Sequence, residues 1–326
     1  MTVAQVVDLC GIGLLALALV GAVVYYSLVR RALPATPLGL PLLAVLAALL
    51  VCHLFAIDRR YSSWRILVWC GYLAVFYLAL AVPRRGVGRV AQALGWAVAL
   101  VCVAEVVLTG QRARLLGNPN ITAAWLLALA YLTPSDWDVV AAMFGVIATG
   151  SRGAFLALVT AQTIEFPRSL RWMVLVLLAM LALLLATVRS PTLIKRLHTW
   201  EEAGRLFLAR PLVGWGPGCY PAVARHEPLK DHADSFILTV AAETGLVGLA
   251  AWGWLFITAA RAAFPPSIPP NGGEEGGGRA RLGLAAWGIH NLADDTLWWY
   301  WVGLGVMVCL ACTVSADSRK HADSER

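Results

Sequence analysis

Charged residues are scarce in this sequence. Asp, Glu, Lys and Arg make up 14% of its 326 residues, whereas apolar and aromatic residues make up 60% and the mean hydropathy is +0.72. A soluble domain carries about 25% charged and roughly 45–50% apolar residues. This shortage of polar surface excludes a water-soluble globular protein and indicates an integral membrane protein. The net charge of +7 lies in short connections between apolar runs, which is typical of a membrane protein and not of one that binds nucleic acid.

The sequence also lacks the cysteine pattern of a disulfide framework. Its seven cysteines lie mostly inside apolar runs, including Cys309 and Cys312 in the last one. We therefore expect free thiols buried among apolar side chains. No basic segment precedes the first apolar run, so the spans themselves, and not a cleaved signal peptide, are expected to direct membrane insertion.

Apolar runs long enough to form membrane helices recur along the whole chain. Some in the middle are short: the 13 residues of 137–149 span about 20 Å as a helix, less than the ~30 Å hydrocarbon core. We predict an all-α polytopic membrane protein with about 10–12 transmembrane helices. Residues 1–314 form one membrane domain and residues 315–326 a polar cytoplasmic tail. The runs cover residues 6–28, 38–57, 64–82, 90–108, 121–132, 137–149, 153–166, 172–188, 235–260, 282–292 and 297–314.

Residues 189–233 form the one long polar segment between apolar runs. They contain seven of the 26 Lys and Arg residues and three of the six His residues. With this segment set aside, an N-terminus on the outer side leaves more Lys and Arg in the cytoplasm than outside, as membrane insertion favours. The segment is then predicted to be a long periplasmic loop, and its arginines suggest an anionic partner at the outer face.

The middle of the chain carries three groups of motifs. They are GNPN at residues 117–120, TGSRGA at 149–154 and, along the polar segment and into the next run, Arg196, Trp200, RPLVGWGPG at 210–218, DHADSF at 231–236 and AETGLVG at 242–248. In this order they resemble the O-antigen ligase/polymerase family of bacterial envelope glycan assembly. The resemblance covers roughly residues 117–250, and the flanking runs match only as apolar segments.

This resemblance implies a membrane glycosyltransferase with a GT-C-like fold that needs no metal and no cofactor. Such an enzyme takes a glycan from an undecaprenyl-diphosphate carrier and transfers it to an acceptor hydroxyl on lipid A–core, on a glycan or on another acceptor. The expected partners are this donor, a lipid or glycan acceptor and membrane lipid. The expected location is the bacterial inner (cytoplasmic) membrane, with the active face toward the periplasm.

Arginines are the expected pyrophosphate ligands, because a planar guanidinium binds phosphate oxygens in bidentate fashion and stays charged. Arg152 lies at the start of an apolar run, where a helix N-terminus itself favours anions. Arg196 matches the loop arginine of the family, and Arg210 precedes the PLVGWGPG turn. The alternative for each is an interfacial arginine that extends to lipid headgroups.

The general base is less well defined by the motifs. The family places a histidine at the position that Asp234 occupies here, and His232 stands two residues earlier. Either His232 or Asp234 acts as the base for the acceptor hydroxyl, or the base has been lost. The structural alternative for Asp234 is an N-cap of the following helix.

Three further residues are expected to support the site. Glu243 lies in a membrane helix, where a buried carboxylate is costly and is usually paired or functional, and it matches a family glutamate. Asn118 and Asn120 either cap a helix or bind sugar hydroxyls. Several other polar residues are expected on the same outer side, and they are Arg112, Arg114, His290, Asp294 and Asp295.

Two alternative functions remain open. A polysaccharide polymerase of the same family would use the same donor and extend a growing glycan. A membrane transporter would also contain short helices and intramembrane charges, but it should show internal repeats between its halves, and none is found.

Overall fold

The computed structural model describes residues 3–116, 118–132, 136–163, 191–225, 232–263, 277–292, 294–297 and 300–324. Within these ranges the chain is built of α-helices and contains no β-strand. The expected apolar run 172–188 lies outside the described residues, as do Gly117 of the GNPN motif and residues 226–231 of the polar segment.

Twelve α-helices occur within the described ranges. They are α1 (Val3–Val24), α2 (Gly39–Leu54), α3 (Arg59–Ala81), α4 (Arg84–Thr109), α5 (Pro119–Ala130), α6 (Asp136–Thr149), α7 (Arg152–Thr163), α8 (Pro191–Ala209), α9 (Tyr220–Val223), α10 (Phe236–Ala263), α11 (Gly277–Asn291) and α12 (Tyr300–Ser324). A π-helical turn, Tyr25–Arg30, extends α1.

Four of these helices are long and apolar enough to cross a membrane, judged by length and composition. The candidate spans are Leu9–Arg30, Arg59–Ala81, Gly86–Thr109 and Phe236–Ala262. Shorter apolar helices accompany them, and α1 and α4 expose large apolar side chains as a lipid-facing surface does. The predicted all-α polytopic membrane architecture is therefore confirmed, whereas the GT-C-like topology stays a prediction.

Helix α5 is enclosed by protein and not by lipid. Every residue from Ile121 to Ala130 is buried, and α5 packs against α4, α6, α7, α11 and α12. Its 12 residues span about 18 Å, so at least one end lies within the depth of a ~30 Å hydrocarbon core. Such an end is tolerated where protein surrounds it. Its N-terminus carries two asparagines: Asn118, which is exposed, and Asn120, which is half-buried.

Local sequence signals define the helix ends near these asparagines. α3 begins after Asp58, whose carboxylate accepts hydrogen bonds from the backbone N–H groups of Arg60 and Tyr61. α5 begins after Asn118, whose side-chain oxygen accepts from the N–H of Asn120 at 2.8 Å. Both are N-caps that satisfy otherwise unpaired donors. α4 ends at Gly110, whose φ of 66° is left-handed.

The polar segment is more regular than expected. The predicted loop 189–233 contains α8, a 19-residue helix, followed by a glycine-rich turn and the single turn α9. Its sequence alternates polar residues with Ile194, Leu197 and Leu208, which are exposed. A search for continuous apolar runs does not detect such a mixed helix. α12 likewise continues to Ser324, through most of the polar tail 315–326.

Helix α10 is interrupted at Gly245, whose φ of 61° and ψ of −153° are not helical. The break removes helical partners from backbone groups on both sides of it. Residues 211–216 supply four replacement hydrogen bonds, two as acceptors and two as donors. These are Leu246 N to Pro211 O (2.8 Å), Val247 N to Leu212 O (3.1 Å), Trp215 N to Ala242 O (3.1 Å) and Gly216 N to Glu243 O (2.8 Å).

Glycine is required on both sides of this contact. A β-carbon at Gly245 would lie 2.5 Å from the carbonyl oxygen of Leu212, and one at Gly214 would collide with the carbonyl of Glu243. Both glycines also have positive φ, of 61° and 64°. The RPLVGWGPG and AETGLVG motifs therefore pack backbone against backbone.

We predict that Gly245→Ala destabilises the protein by about 1–3 kcal/mol from backbone strain alone, because its φ and ψ are nearly restricted to glycine. The measurement is thermal unfolding of the detergent-purified protein. Gly253→Ala is the matched control, since Gly253 lies in the same helix and a β-carbon added there would meet no atom within 4 Å. Equal midpoints for the two variants would show that the kink does not depend on Gly245.

Candidate active site

Six segments of the chain meet at one end of the helix bundle, here called the site end. Backbone hydrogen bonds join them in pairs: Ile57 N–H to Trp215 O at 3.0 Å, and Phe236 N–H to Asp294 O at 2.8 Å. A third, from Ala113 to Ala148 at 3.1 Å, joins the segment before α5 to the end of α6. All three motif groups of the sequence therefore reach the site end.

Asp294 connects two of the predicted site residues. Its Oδ2 accepts hydrogen bonds from Asn120 Nδ2 at 2.6 Å and from Arg196 Nη2 at 3.2 Å. The Asp294 side chain is 7% exposed and that of Arg196 is 22% exposed. This contact uses one amino group of Arg196, and a guanidinium has five N–H donors in all. Asp294 thus contacts Arg196 through a single nitrogen, and the Arg196 side chain stays partly exposed.

The N-terminus of α7 lies beside this pair. A β-carbon at Gly153 would lie 3.2 Å from His290 Nδ1, and His290 interacts electrostatically with both Asp294 and Arg196. Arg152, the first residue of α7, is exposed next to Gly153. Arg152 and Arg196 therefore belong to the same end of the bundle and to neighbouring segments. The N-terminus of α7 adds a positive electrostatic potential there, which favours an anion.

Arg112 approaches the same turn from the segment after α4. Its side chain would lie 3.1–3.2 Å from a β-carbon at Gly150, and Gly150 has a φ of 65°. The glycine in TGSRGA thus allows an arginine stem to cross directly over the α6–α7 turn. Arg112 is exposed, so its charge adds to that of Arg152 at this turn.

His232 and Asp234 lie on the other side of Arg196. Asp234 has a φ of 53°, and its Oδ2 accepts a hydrogen bond from Thr199 Oγ1 at 3.3 Å. Thr199 is one turn after Arg196 on α8. The backbone N–H of Asp234 donates to His232 Nδ1 at 3.1 Å, while that nitrogen is 3.8 Å from Asp234 Oδ1. Asp234 thus contacts α8 one turn after Arg196, and His232 lies against Asp234.

Glu243 fastens the glycine-rich turn to α10. Glu243 is buried, with 2% of its surface exposed. Its carboxylate accepts hydrogen bonds from the N–H groups of Gly218 (2.8 Å) and Tyr220 (3.2 Å). Arg65 of α3 lies against the same turn, with its Cγ 2.5 Å from where a β-carbon of Gly218 would be. The sequence analysis did not single out Arg65, because no motif surrounds it.

Arg210 occupies a different part of the turn. Its guanidinium lies 4.2 Å from the centre of the Trp215 ring, and its Nη1 donates to Phe55 O at 3.4 Å. It follows Arg196 by 14 residues, which is about 21 Å along a helix. The structure therefore does not bring Arg210 together with Arg196, and the cation–π contact gives it a role in holding the turn.

Asn118 and Asn120 serve different purposes. Asn118 caps α5, as one of the sequence alternatives predicted. The side chain of Asn120 donates to Asp294, which the sequence placed only on the same side. The pairing joins residues 174 positions apart, so no local pattern could reveal it.

Two buried polar side chains at the site end have no hydrogen-bond partner among the described residues. Neither ring nitrogen of His290 and neither carboxylate oxygen of Asp295 reaches one. Burial raises the pKa of Asp295 above its usual value, while the charges of His232 and Arg65 oppose that shift.

An apolar cavity of about 410 Å³ lies between α10, α11 and α12. Four aromatic side chains line it: Phe236, Trp252, Phe256 and Trp287. Its walls extend from Arg281 near the start of α11 to Leu297, which is two residues from Asp295. One end of the cavity is therefore adjacent to the ionic cluster.

The fold and this site define a multi-pass helical membrane protein with an ionic cluster at one end, next to an apolar cavity. Residues 138–253 match the family model described as O-Antigen ligase. These residues are thus similar to the O-antigen ligase family, which supports the family predicted from the motifs. No curated protein matches the chain. The matched part contains Arg152, Arg196 and Glu243, whereas Asn120, His290 and Asp294 lie outside it.

We predict that Arg196 and Asp294 are energetically coupled. A double-mutant cycle of Arg196→Ala and Asp294→Ala should give a coupling energy of about 0.5–3 kcal/mol in unfolding of the purified protein. Lys195→Ala combined with Asp294→Ala is the control, since Lys195 is an exposed neighbouring cation that should act additively. Additive effects of Arg196 and Asp294 would contradict the observed ion pair.

Proposed function

We propose that this O-antigen ligase-family membrane enzyme transfers a glycan from an undecaprenyl-diphosphate carrier to an acceptor hydroxyl. The observation that supports this function most directly is the position of Arg196. Its guanidinium donates to Asp294, which also accepts from Asn120, and His290 connects this cluster to the α7 N-terminus that bears Arg152. Two arginines and a helix N-terminus in neighbouring segments suit a ligand with two linked phosphates.

The reaction follows from this arrangement. The acceptor oxygen forms a bond to the anomeric carbon of the glycan, and the bond from that carbon to the diphosphate oxygen breaks. The electron pair of the broken bond leaves with the diphosphate, whose growing negative charge Arg152 and Arg196 stabilise. Because arginines supply the positive charge, we propose that transfer needs no metal ion or cofactor. Arg210 stabilises the glycine-rich turn and does not contact the diphosphate.

The acceptor hydroxyl gives up a proton during transfer. The motif spacing offers His232 and Asp234 as the proton acceptor; Asp234 contacts Thr199, one turn after Arg196, and His232 contacts Asp234. Glu243 supports the reaction indirectly, because it holds the turn at Gly218 that packs against Arg65.

The apolar cavity suits part of the isoprenoid chain of the donor. Its lining is almost entirely aliphatic and aromatic, which suits a hydrocarbon chain, and one end adjoins Leu297 near Asp295. A lipid whose chain enters there has its diphosphate close to the arginines. We place the site on the periplasmic face of the bacterial inner membrane, since the Lys and Arg distribution favours that orientation.

Ligase and polymerase activities differ here only in the acceptor. We favour the ligase, with lipid A–core or another lipid or glycan as acceptor, and the acceptor that becomes labelled distinguishes the two. A transporter would move the lipid-linked glycan without breaking the bond to diphosphate.

We predict that the purified full-length protein transfers a fluorescent glycan from undecaprenyl diphosphate to lipid A–core in the presence of EDTA. Arg196→Ala and Arg152→Ala should each lower the rate about 10²–10³-fold, because each removes a donor to the developing charge. Arg196→Lys should restore only part of it, since an ammonium lacks the planar fork. Transfer is measured by mass spectrometry of the product.

Lys195→Ala, which removes a neighbouring exposed charge, is the matched control and should keep the wild-type rate. Full activity in the Arg152→Ala/Arg196→Ala double variant would reject the diphosphate site. Activity that disappears in EDTA and returns with Mg²⁺ would reject the metal-independent reaction.

A further inference from the structure

Asp295 differs from the other acidic residues at the site end because no described residue donates a hydrogen bond to its carboxylate. The residue is 1% exposed, and neither oxygen has a hydrogen-bond partner among the described residues. The adjacent Asp294, in contrast, accepts from Arg196, Asn120 and the N–H of Asp295 itself. A buried carboxylate without donors costs several kcal/mol relative to a hydrogen-bonded one. Such a group is expected to find its donor in a ligand.

The two proton acceptors that the motif spacing offers are already engaged. Asp234 Oδ2 lies 3.3 Å from Thr199 Oγ1, a hydroxyl that is also 2.9 Å from Arg196 O, and Asp234 Oδ1 lies 3.8 Å from His232 Nδ1. His232 Nδ1 accepts the backbone N–H of Asp234, so a neutral His232 carries its proton on Nε2. In this tautomer Nδ1 is occupied and Nε2 is a donor. His232 can therefore offer a hydrogen bond to a sugar oxygen, but it has no free nitrogen that accepts a proton.

The surroundings of Asp295 suit a group that gains and loses a proton. The charged and titratable groups that face it are Arg65 of α3, His232 before α10, Glu243 of α10 and its neighbour Asp294. Thr239 is also close, but its hydroxyl donates to Ser235 O at 3.0 Å. The positive charge of Arg65 thus favours the ionised form, while burial and the two acids favour the neutral one.

We propose that Asp295 is a further catalytic residue, the base that accepts the proton of the acceptor hydroxyl. This role rests on the proposed glycan transfer. The hydroxyl donates to an Asp295 oxygen, and its proton moves there as the hydroxyl oxygen bonds to the anomeric carbon. The electron pair of the breaking carbon–oxygen bond departs with the diphosphate. Asp295 then releases the proton to water when the products leave.

The position of Asp295 connects the two halves of this reaction. Its neighbour Asp294 holds the arginine that receives the leaving group, so one short segment places the base beside the leaving-group ligand. Burial also raises the pKa of Asp295, which brings it closer to the working pH and makes it a stronger proton acceptor than an exposed carboxylate.

The test compares Asp295→Asn, Asp234→Asn and His232→Gln in the full-length protein. The probes are undecaprenyl diphosphate for binding and the fluorescent lipid-linked glycan with lipid A–core for transfer. We expect Asp295→Asn to lower kcat about 10²–10⁴-fold and to leave the affinity for undecaprenyl diphosphate unchanged. Asp295→Glu should recover part of kcat. Asp234→Asn and His232→Gln should each cost less than Asp295→Asn.

The pH dependence provides a second measurement that a purely structural role would not affect. Transfer requires ionised Asp295, so kcat should fall as the pH drops through the raised pKa of this carboxyl. His232→Gln should keep this acid limb, because the titrating group is still present. If Asp295→Asn does not give a monodisperse protein, the pH dependence of kcat in the wild type and in His232→Gln tests the role of Asp295.

Each outcome bears on one of the two proposals. Wild-type protein that binds undecaprenyl diphosphate but transfers no glycan would overturn the transfer function, and the role of Asp295 with it. Wild-type transfer together with an undiminished kcat in Asp295→Asn would overturn only the role of Asp295. Loss of the acid limb in His232→Gln would also overturn it, since His232 would then be the titrating base.

Discussion

The backbone contact between residues 211–216 and the kink at Gly245 is the constraint on which the site depends. A break in a membrane helix exposes N–H and C=O groups that lipid cannot satisfy. Here the neighbouring turn satisfies them with four hydrogen bonds, and it can approach only because Gly214 and Gly245 lack side chains. The broken helix and the turn therefore require each other, which explains why both motifs occur in one chain.

This contact also determines the positions of the proposed site residues. The turn follows directly from α8, so fixing it at Gly245 fixes the C-terminal end of the helix that carries Arg196 and Thr199. Glu243, two residues before the kink, binds the same turn at Gly218 and Tyr220. At the start of α10, Phe236 donates to the carbonyl of Asp294. One kinked helix thus positions the arginine, the turn and the acidic segment.

The sequence predicted the membrane architecture and the motif residues because those depend on composition and local spacing. It did not predict that Arg196 and Asn120 meet at Asp294, since these residues come from three distant segments. It treated α8 as a loop because the helix mixes polar and apolar residues. It grouped Arg210 with Arg196 by charge, although about 21 Å of helix separates them. Arg65 and Asp295 carry no motif, and only their packing reveals them.

The geometry of Asp294 explains how the ion pair with Arg196 is compatible with the proposed diphosphate site. A carboxylate that bound both amino groups of Arg196 in bidentate fashion would compete with a diphosphate for the same planar edge. Asp294 instead makes one contact with Arg196, at 3.2 Å, and shares that oxygen with Asn120 while its other oxygen accepts the N–H of Asp295. The carboxylate is held by three donors from different segments, so it orients the guanidinium without enclosing it. An arriving anion then meets an arginine whose position is already fixed, so less side-chain entropy is lost on binding.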